Sequence, residues 1–129
     1  AALKNTSEKF TILIADDDEI SFFYLENILE NEEIILIHAK TGLEAIDCLK
    51  LNPDISLILM DIKMPEMSGL EATQEIRKFN KSIPIIAQTA FSVIGDKENI
   101  LNAGCNDYIA KPINKIEVIN LIKKYLPLN

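Results

Sequence analysis

Leu57–Gly69, with the sequence LILMDIKMPEMSG, decides the fold. Its first four residues form an apolar run typical of a strand that is buried on both faces. Asp61 follows at the carboxyl end of that strand, and Pro65, which has no N–H to donate to a neighbouring strand, indicates that the strand has ended. Ser68 and an acid three residues later have the spacing of a capping box, which predicts a helix directly afterwards. The stretch therefore predicts a strand, a carboxylate, a loop and a helix in succession.

The same order of strand and helix recurs along the rest of the chain. Apolar runs of strand length alternate with segments of helical periodicity, and the connections between them are short. Such alternation predicts an α/β fold with a doubly wound, five-stranded parallel sheet and right-handed crossovers. The predicted strands are 10–15, 34–37, 57–60, 82–87 and 107–110, and the predicted helices are 19–31, 42–51, 69–79, 92–103 and 115–126. Capping boxes are expected at Thr41 and Ser68, with Leu43 among the inward residues of its helix.

Size and composition narrow the class of protein. The chain has 129 residues, of which 48% are hydrophobic, and a net charge of −7. This size predicts one domain, placed at 10–127, after a polar stretch at 1–9 that we interpret as a linker or an expression remnant. The negative charge argues against a nucleic-acid surface on this segment. No apolar run reaches the length of a membrane-spanning helix, so no membrane contact by this segment is expected.

Polar side chains follow four of the five predicted strands. Asp16 and Asp17 follow the first strand, Asp61 the third, Thr89 the fourth and Lys111 the fifth. The carboxyl ends of parallel strands meet at one edge of a sheet, which is where ligands bind in open α/β folds. We therefore expect these five side chains to share one site.

The chemistry of this set points to phosphoryl transfer. Three carboxylates at one edge repel one another unless a cation neutralises them, and an all-oxygen donor set suits Mg²⁺. Lys111 is a compact positive charge suited to a phosphate oxygen, and Thr89 can donate to another. A carboxylate can itself be the nucleophile and become an aspartyl phosphate. The sequence has no glycine-rich loop of the type that holds nucleotide phosphates.

Four motifs together resemble those of a known family. They are ILIADDD at 12–18, MDIKMPEMSG at 60–69, Thr89-Ala90, and DYIAKP at 107–112. In this order and on these elements they resemble the receiver domain of response regulators in two-component signalling, over about residues 10–126. The resemblance implies the flavodoxin-like (β/α)5 fold of the bacterial chemotaxis regulator, with strand order 2-1-3-4-5.

The resemblance also implies roles for the acids. Asp61 would accept a phosphoryl group from a histidine. Mg²⁺ would be held by Asp16, Asp17 and Asp61, together with the backbone carbonyl of Lys63. Lys111 would pair with Asp61 before the phosphoryl group arrives and with that group afterwards. The domain would catalyse its own phosphorylation without being a free-standing enzyme.

A conformational switch is implied next to this site. Thr89 would turn towards the phosphoryl group, and the ring of Tyr108 would move inward with it. The Lys111–Pro112 peptide bond is expected to be cis, as in this family. Phe91, two residues past Thr89, offers no hydrogen bond to a hydrolytic water, and with Lys63 it suggests slow self-dephosphorylation.

Two apolar surfaces suggest partners. The first predicted helix carries Ile20, Phe23 and Tyr24 outside its core-facing set, whereas a one-sided helix would be polar there. We expect these residues to dock a histidine kinase or a histidine phosphotransfer domain. The last helix is also broadly apolar, which suggests a homodimer or packing on another domain. The sequences of these motifs resemble those of receivers fused to hybrid sensor histidine kinases in phosphorelays. A cytoplasmic segment is therefore expected, whose parent chain could be membrane-anchored.

Two other functions fit the fold. A pseudo-receiver would keep the fold as an interaction module without phosphorylation, but the complete set of acids, Thr89 and Lys111 argue against it. A flavodoxin-like binder of a small ligand would need a phosphate loop after the first strand. Asp16, Asp17 and the acid that follows would repel a flavin phosphate at that position.

Overall fold

Strands and helices alternate strictly in the computed structural model, which describes residues 9–90 and 96–129. The strands are β1 (Phe10–Ala15), β2 (Ile34–Ala39), β3 (Ile55–Asp61), β4 (Ile85–Thr89) and β5 (Asp107–Ala110). The helices are α1 (Glu19–Ile28), α2 (Gly42–Leu51), α3 (Gly69–Arg77), α4 (Asp96–Ala103) and α5 (Lys115–Tyr125). This alternation agrees with the sequence pattern.

The five strands form one parallel sheet in the order β2-β1-β3-β4-β5. Helices cover both faces, which explains why the central strands are continuous apolar runs. On one face, Leu25 of α1 and Val118 of α5 pack with Leu59 of the sheet. On the other face, Ile46 of α2 and Ile76 of α3 pack on the opposite side of the strands. The predicted doubly wound fold and strand order are confirmed.

Side-chain caps fix the starts of four helices, α1, α2, α3 and α5, and two of these caps test the predicted capping boxes. The Ser68 hydroxyl accepts a hydrogen bond from Glu71 N at 3.1 Å, and the Glu71 carboxylate accepts one from Ser68 N at 3.1 Å, completing the predicted capping box. Thr41 accepts from Glu44 N at 3.0 Å. The Glu44 carboxylate, however, accepts from Lys40 N at 2.9 Å, so only half of the capping box predicted at Thr41 is present.

Several predicted boundaries and one core position differ from the structure. Helix α1 ends at Ile28, earlier than predicted, because Leu29 leaves helical geometry. Helix α3 ends at Arg77, also earlier than predicted, because the next amides, Lys78 N and Phe79 N, donate to carbonyls only three residues back. Strand β4 begins at Ile85 rather than at residue 82, after a proline that has no N–H for the ladder. Leu43 is 53% exposed, because Gly42 takes the buried position in the first turn of α2. The predicted start of α4 at residue 92 lies outside the described residues.

Asp107 ties the start of β5 to α5 through three donors. Its carboxylate accepts hydrogen bonds from Lys124 Nζ and the Tyr125 hydroxyl, both at 3.0 Å, and from Tyr108 N at 3.0 Å. Burial opposes ionisation of Asp107, but these hydrogen bonds outweigh it and hold the pKa of the carboxyl below its ordinary value. The ionised form therefore stabilises the folded chain.

Asp107→Asn is expected to lower the free energy of unfolding by about 1 kcal/mol at neutral pH. The folded-state pKa is depressed, so the contribution is complete above the ordinary carboxyl value and disappears as pH falls through the folded-state pKa. Urea denaturation of both proteins at a series of pH values measures this difference. A difference that stays constant from neutral to strongly acidic pH would contradict the assignment.

Candidate functional site

Three carboxylates meet at the carboxyl edge of the sheet. Asp16 and Asp17 follow β1, and Asp61 is the last residue of the neighbouring strand β3. One oxygen from each carboxylate lies within 4.8 Å of the others. Asp16 is fully buried, Asp61 is 5% exposed and Asp17 is exposed. The arrangement is therefore an acidic cluster with one side open to solvent.

Lys111 is the cation that faces this cluster. Its Nζ lies 3.2 Å from Asp61 Oδ2 and 3.4 Å from Asp16 Oδ2. Burial raises the pKa of the Asp61 carboxyl above its ordinary value; Lys111 opposes that shift, and the charge of Asp16 adds to it. One ammonium group thus compensates the three acids only partly, and a divalent cation with oxygen ligands fits the remaining negative charge.

The backbone supports the same side chains. Asp61 Oδ1 accepts a hydrogen bond from Lys63 N at 3.2 Å. Lys111 N donates to the Thr89 carbonyl oxygen at 2.7 Å, which extends the pairing of β4 and β5 by one residue. The Lys111–Pro112 peptide bond is cis, as the family resemblance implied. Lys111 thus connects the end of β5 to β4 through its backbone and to β3 through its side chain.

A cavity of about 460 Å³ opens over this rim. Asp17, Asp61, Lys63, Thr89 and Lys111 all line it. The residues that the sequence assigned to one site are therefore together in space. Whether the Lys63 carbonyl is a metal ligand stays a prediction.

Tyr108 lies on β5, opposite Ala87 of β4, and does not line this cavity. It is half-buried and packs against the apolar core on the side of the sheet that α2, α3 and α4 cover. Phe91, on which the expectation of slow self-dephosphorylation depends, lies outside the described residues. Both proposed roles stay predictions.

Asp18 is separated from the acidic cluster by its own capping role. Its side chain accepts a hydrogen bond from Ile20 N at 2.9 Å and caps α1. Two hydrogen bonds to the cap hold the pKa of this exposed carboxyl below its ordinary value, with that from Ile20 N the strongest influence. Asp18 is thus a helix-capping residue.

A second, apolar cavity of about 500 Å³ lies beside the first, between α1 and the segment that follows β5. Ile20 and Tyr24 line it on one side, and Pro112 and Ile113 on the other. The Tyr24 hydroxyl donates to the Ile113 carbonyl oxygen at 2.6 Å and bridges the two sides. Phe23, also on α1, is 64% exposed and does not line this cavity.

Gln88 is a site residue that sequence reasoning missed. Its side chain is fully buried at the end of β4 and lines both cavities. Leaving a buried polar group without a hydrogen bond costs about 1–3 kcal/mol, so such a residue in an apolar strand calls for a reason. The sequence feature that could have revealed Gln88 is a single amide residue between the apolar run Ile85-Ile86-Ala87 and Thr89.

The chain matches the family model of the response regulator receiver domain over residues 12–123. It therefore belongs to that family and is a receiver domain of two-component signalling. It is 40% identical over 119 residues to the polar-differentiation response regulator DivK of Brucella ovis, covering 90% of this chain and 95% of DivK.

Two solved structures of receiver domains are similar to this one. The receiver domain of Ssk1 from Saccharomyces cerevisiae, in complex with the histidine phosphotransfer protein Ypd1, has a TM-score of 0.84 and 33% identity, covering 92% of this chain and 89% of that one. The receiver domain of the sensor histidine kinase PA1611 from Pseudomonas aeruginosa, with a magnesium ion in its active site cleft, has a TM-score of 0.83 and 31% identity, covering 93% and 99%.

Among the helices in the described ranges 9–90 and 96–129, none has the length and apolar character needed to cross a membrane.

Proposed function

We propose that this receiver domain, at residues 10–127, accepts a phosphoryl group from a phosphohistidine onto Asp61. The observation that supports this most directly is the position of the Asp61 carboxylate. Asp61 lines an open cavity, and its Oδ2 lies 3.2 Å from Lys111 Nζ, an ammonium group that also pairs with Asp16. A carboxylate so placed can attack phosphorus, while Lys111 is available to a phosphoryl oxygen.

The donor set also fits Mg²⁺. Asp16, Asp17 and Asp61 supply carboxylate oxygens within 4.8 Å of one another, and the backbone carbonyl of Lys63 is the fourth proposed ligand. Mg²⁺ bound there would neutralise negative charge on the acids and on the phosphoryl oxygens. The exposure of Asp17 leaves room for the waters that this ion retains.

The transfer needs little from the protein beyond position and charge. An Asp61 oxygen forms a bond to phosphorus as the bond from phosphorus to the donor breaks, and the donor leaves with the electron pair of that bond. With acetyl phosphate as donor, the products are the acyl phosphate on Asp61 and acetate, and no proton has to move. Lys111 balances the charge that accumulates on the phosphoryl oxygens.

The change of state would pass through Thr89 and Tyr108. Thr89 is buried at the end of β4 and lines the cavity, so its hydroxyl is close enough to turn towards a phosphoryl group on the neighbouring strand. Tyr108 is half-buried on β5, which pairs with β4. A movement of Thr89 would free space into which the Tyr108 ring could turn.

Intact-mass measurement during incubation with acetyl phosphate tests this function. We expect the mass of one phosphoryl group to be added in the presence of Mg²⁺ and to be lost when the metal is chelated. No adduct from acetyl phosphate or from any phosphohistidine donor, despite Mg²⁺ binding, would favour the pseudo-receiver instead.

The partner would be a histidine kinase or a histidine phosphotransfer domain that docks on α1. Ile20, which lines the apolar cavity beside Lys111, is 80% exposed, and Phe23, three residues further along α1, is 64% exposed. An apolar helix from the partner would cover them and bring its histidine to the acidic cluster. Tyr24 belongs to the same surface through its ring.

The variant Ile20→Ala/Phe23→Ala is expected to slow transfer from a phosphorylated histidine phosphotransfer domain by about tenfold, because exposed apolar anchors carry much of an interface's energy. Phosphorylation by acetyl phosphate, which needs no docking, should keep its rate. Leu51→Ala, at an exposed apolar residue of α2, is the matched control and should affect neither reaction. Equal loss with both donors would contradict the docking role.

A homodimer through α5, a hybrid histidine kinase as the parent chain and a cytoplasmic location also stay predictions. Ile116, on the outer side of α5, is 71% exposed and is the residue with which a second copy would make contact. Val118 and Ile122 of the same helix are buried in the core and are not available to a partner. Sedimentation of the phosphorylated and unphosphorylated protein tests the dimer.

A further inference from the structure

Gln88 carries a buried side-chain amide near the end of β4. Its side chain is fully buried, and neither Oε1 nor Nε2 has a partner among the residues that the structure describes. Apolar residues precede it on the same strand, so a leucine there would suit the core better. Because an unsatisfied buried amide is costly, its presence points to a hydrogen bond made in another state of the protein.

The register of the sheet places Gln88 beneath the Lys111 side chain. Gln88 pairs with Asp61 of β3 on one side and with Ile109 of β5 on the other. Lys111 is two residues past Ile109, and therefore on the same face, since side chains alternate along a strand. To reach Asp61 and Asp16, the lysine side chain must cross the end of β4, where Gln88 lies.

The linings of the two cavities also place Gln88 next to Lys111. Among the residues that the structure describes, Gln88 and Lys111 are the two that line both the acidic cavity and the apolar cavity. They form the wall between the phosphoryl site and the proposed docking surface. A contact between them would therefore fix the position of the ammonium group at this wall.

We propose that Gln88 is a positioning residue for Lys111, whose Nζ donates a hydrogen bond to Gln88 Oε1 when the ammonium group engages the phosphoryl group on Asp61. This proposal rests on the function proposed above. An ammonium group has three donors, and two of them face Asp61 and Asp16 in the unphosphorylated protein. The neutral amide oxygen of Gln88 can accept the third hydrogen bond from Lys111. It leaves the positive charge of the ammonium group available to stabilise the phosphoryl oxygens.

The variant Gln88→Leu separates this role from a structural one. Replacing an unpartnered amide with an apolar side chain of similar size should raise the melting temperature. The maximal rate of phosphorylation by acetyl phosphate should nevertheless fall by about tenfold, with the half-saturating acetyl phosphate concentration unchanged. Gln88→Met, which also keeps the length and removes the amide, should show the same two changes and serves if the leucine variant does not fold.

Gln74→Leu, the same substitution at an exposed position of α3, should change neither quantity and is the matched control. Wild-type protein that gains no phosphoryl group would refute the proposed function itself. If the wild-type protein is phosphorylated and Gln88→Leu matches its maximal rate, only the role of Gln88 is refuted. If both Gln88 variants lose phosphorylation rate and also have lower melting temperatures than the wild-type protein, the role of Gln88 is structural and the positioning role is refuted.

Discussion

Asp61→Asn is expected to abolish the phosphorylated form of this protein. The substitution keeps the size of the side chain but replaces the carboxylate with an amide, whose nitrogen lone pair is delocalised and which is a poor nucleophile at phosphorus. No other carboxylate of the cluster is equivalent. Asp16 is fully buried, and Asp17 is exposed at the end of a different strand. The intact mass after incubation with acetyl phosphate and Mg²⁺ should therefore equal that of the untreated variant.

Asp18→Asn is the matched control for this experiment. Asp18 is part of the same acidic run, but its side chain caps α1, and asparagine caps a helix as well as aspartate does. The control should gain a phosphoryl group at close to the wild-type rate. Phosphorylation of Asp61→Asn at a comparable rate would mean that another residue is the acceptor.

Gly69→Ala is expected to lower the free energy of unfolding by about 3 kcal/mol, at the upper end of the usual cost of overpacking. A Cβ built at this position collides with the Asp61 carbonyl oxygen and lies 2.9 Å from Met60 Cγ. The nearest atom belongs to the backbone of β3 and cannot turn away. Gly69 N also donates to the Ile62 carbonyl oxygen at 2.8 Å, which holds the start of α3 against this strand. Urea denaturation measures the loss.

Gly42→Ala provides the comparison for Gly69→Ala. Gly42 is also buried at the first position of a helix, but a Cβ there would meet Met67 Cγ at 3.0 Å, in a flexible side chain, and Ala72 Cβ only at 3.2 Å, with no backbone atom among these contacts. The gain in helix propensity, up to about 1 kcal/mol, offsets the displacement of that methionine. The net change should be small. Equal destabilisation by the two substitutions would contradict the importance of the contact between Gly69 and the Asp61 backbone.

The sequence predicts the elements of this fold better than their details. Buried parallel strands need uninterrupted apolar runs, and helix starts need capping side chains, so β3 and the capping box at Ser68 can be read from local sequence. The order of the strands cannot, because an apolar run does not specify its neighbours; it came from the family resemblance. Leu43 shows a further limit, since helical spacing alone did not reveal that Gly42 takes the buried position.

In the candidate site, too, some features could be predicted from the sequence pattern and others depend on how the strands and helices pack. The carboxyl ends of parallel strands must meet, so the gathering of Asp61, Thr89 and Lys111 at one cavity was predictable from the strand pattern. The position of Gln88 between Asp61 and Lys111 was not, because it depends on the register of β3, β4 and β5. The proximity of Gly69 to the backbone of Asp61 likewise exists only once α3 is packed on the sheet.

Locating the phosphoryl group on the protein tests the central proposal most directly. After incubation with acetyl phosphate and Mg²⁺, borohydride reduction converts an acyl phosphate, but not a free carboxylate, into an alcohol that survives digestion and peptide sequencing by mass spectrometry. We expect this reduced residue at position 61 alone. A reduced residue at Asp16 or Asp17 with Asp61 unmodified, or a phosphoryl group that remains on a hydroxyl side chain, would contradict it.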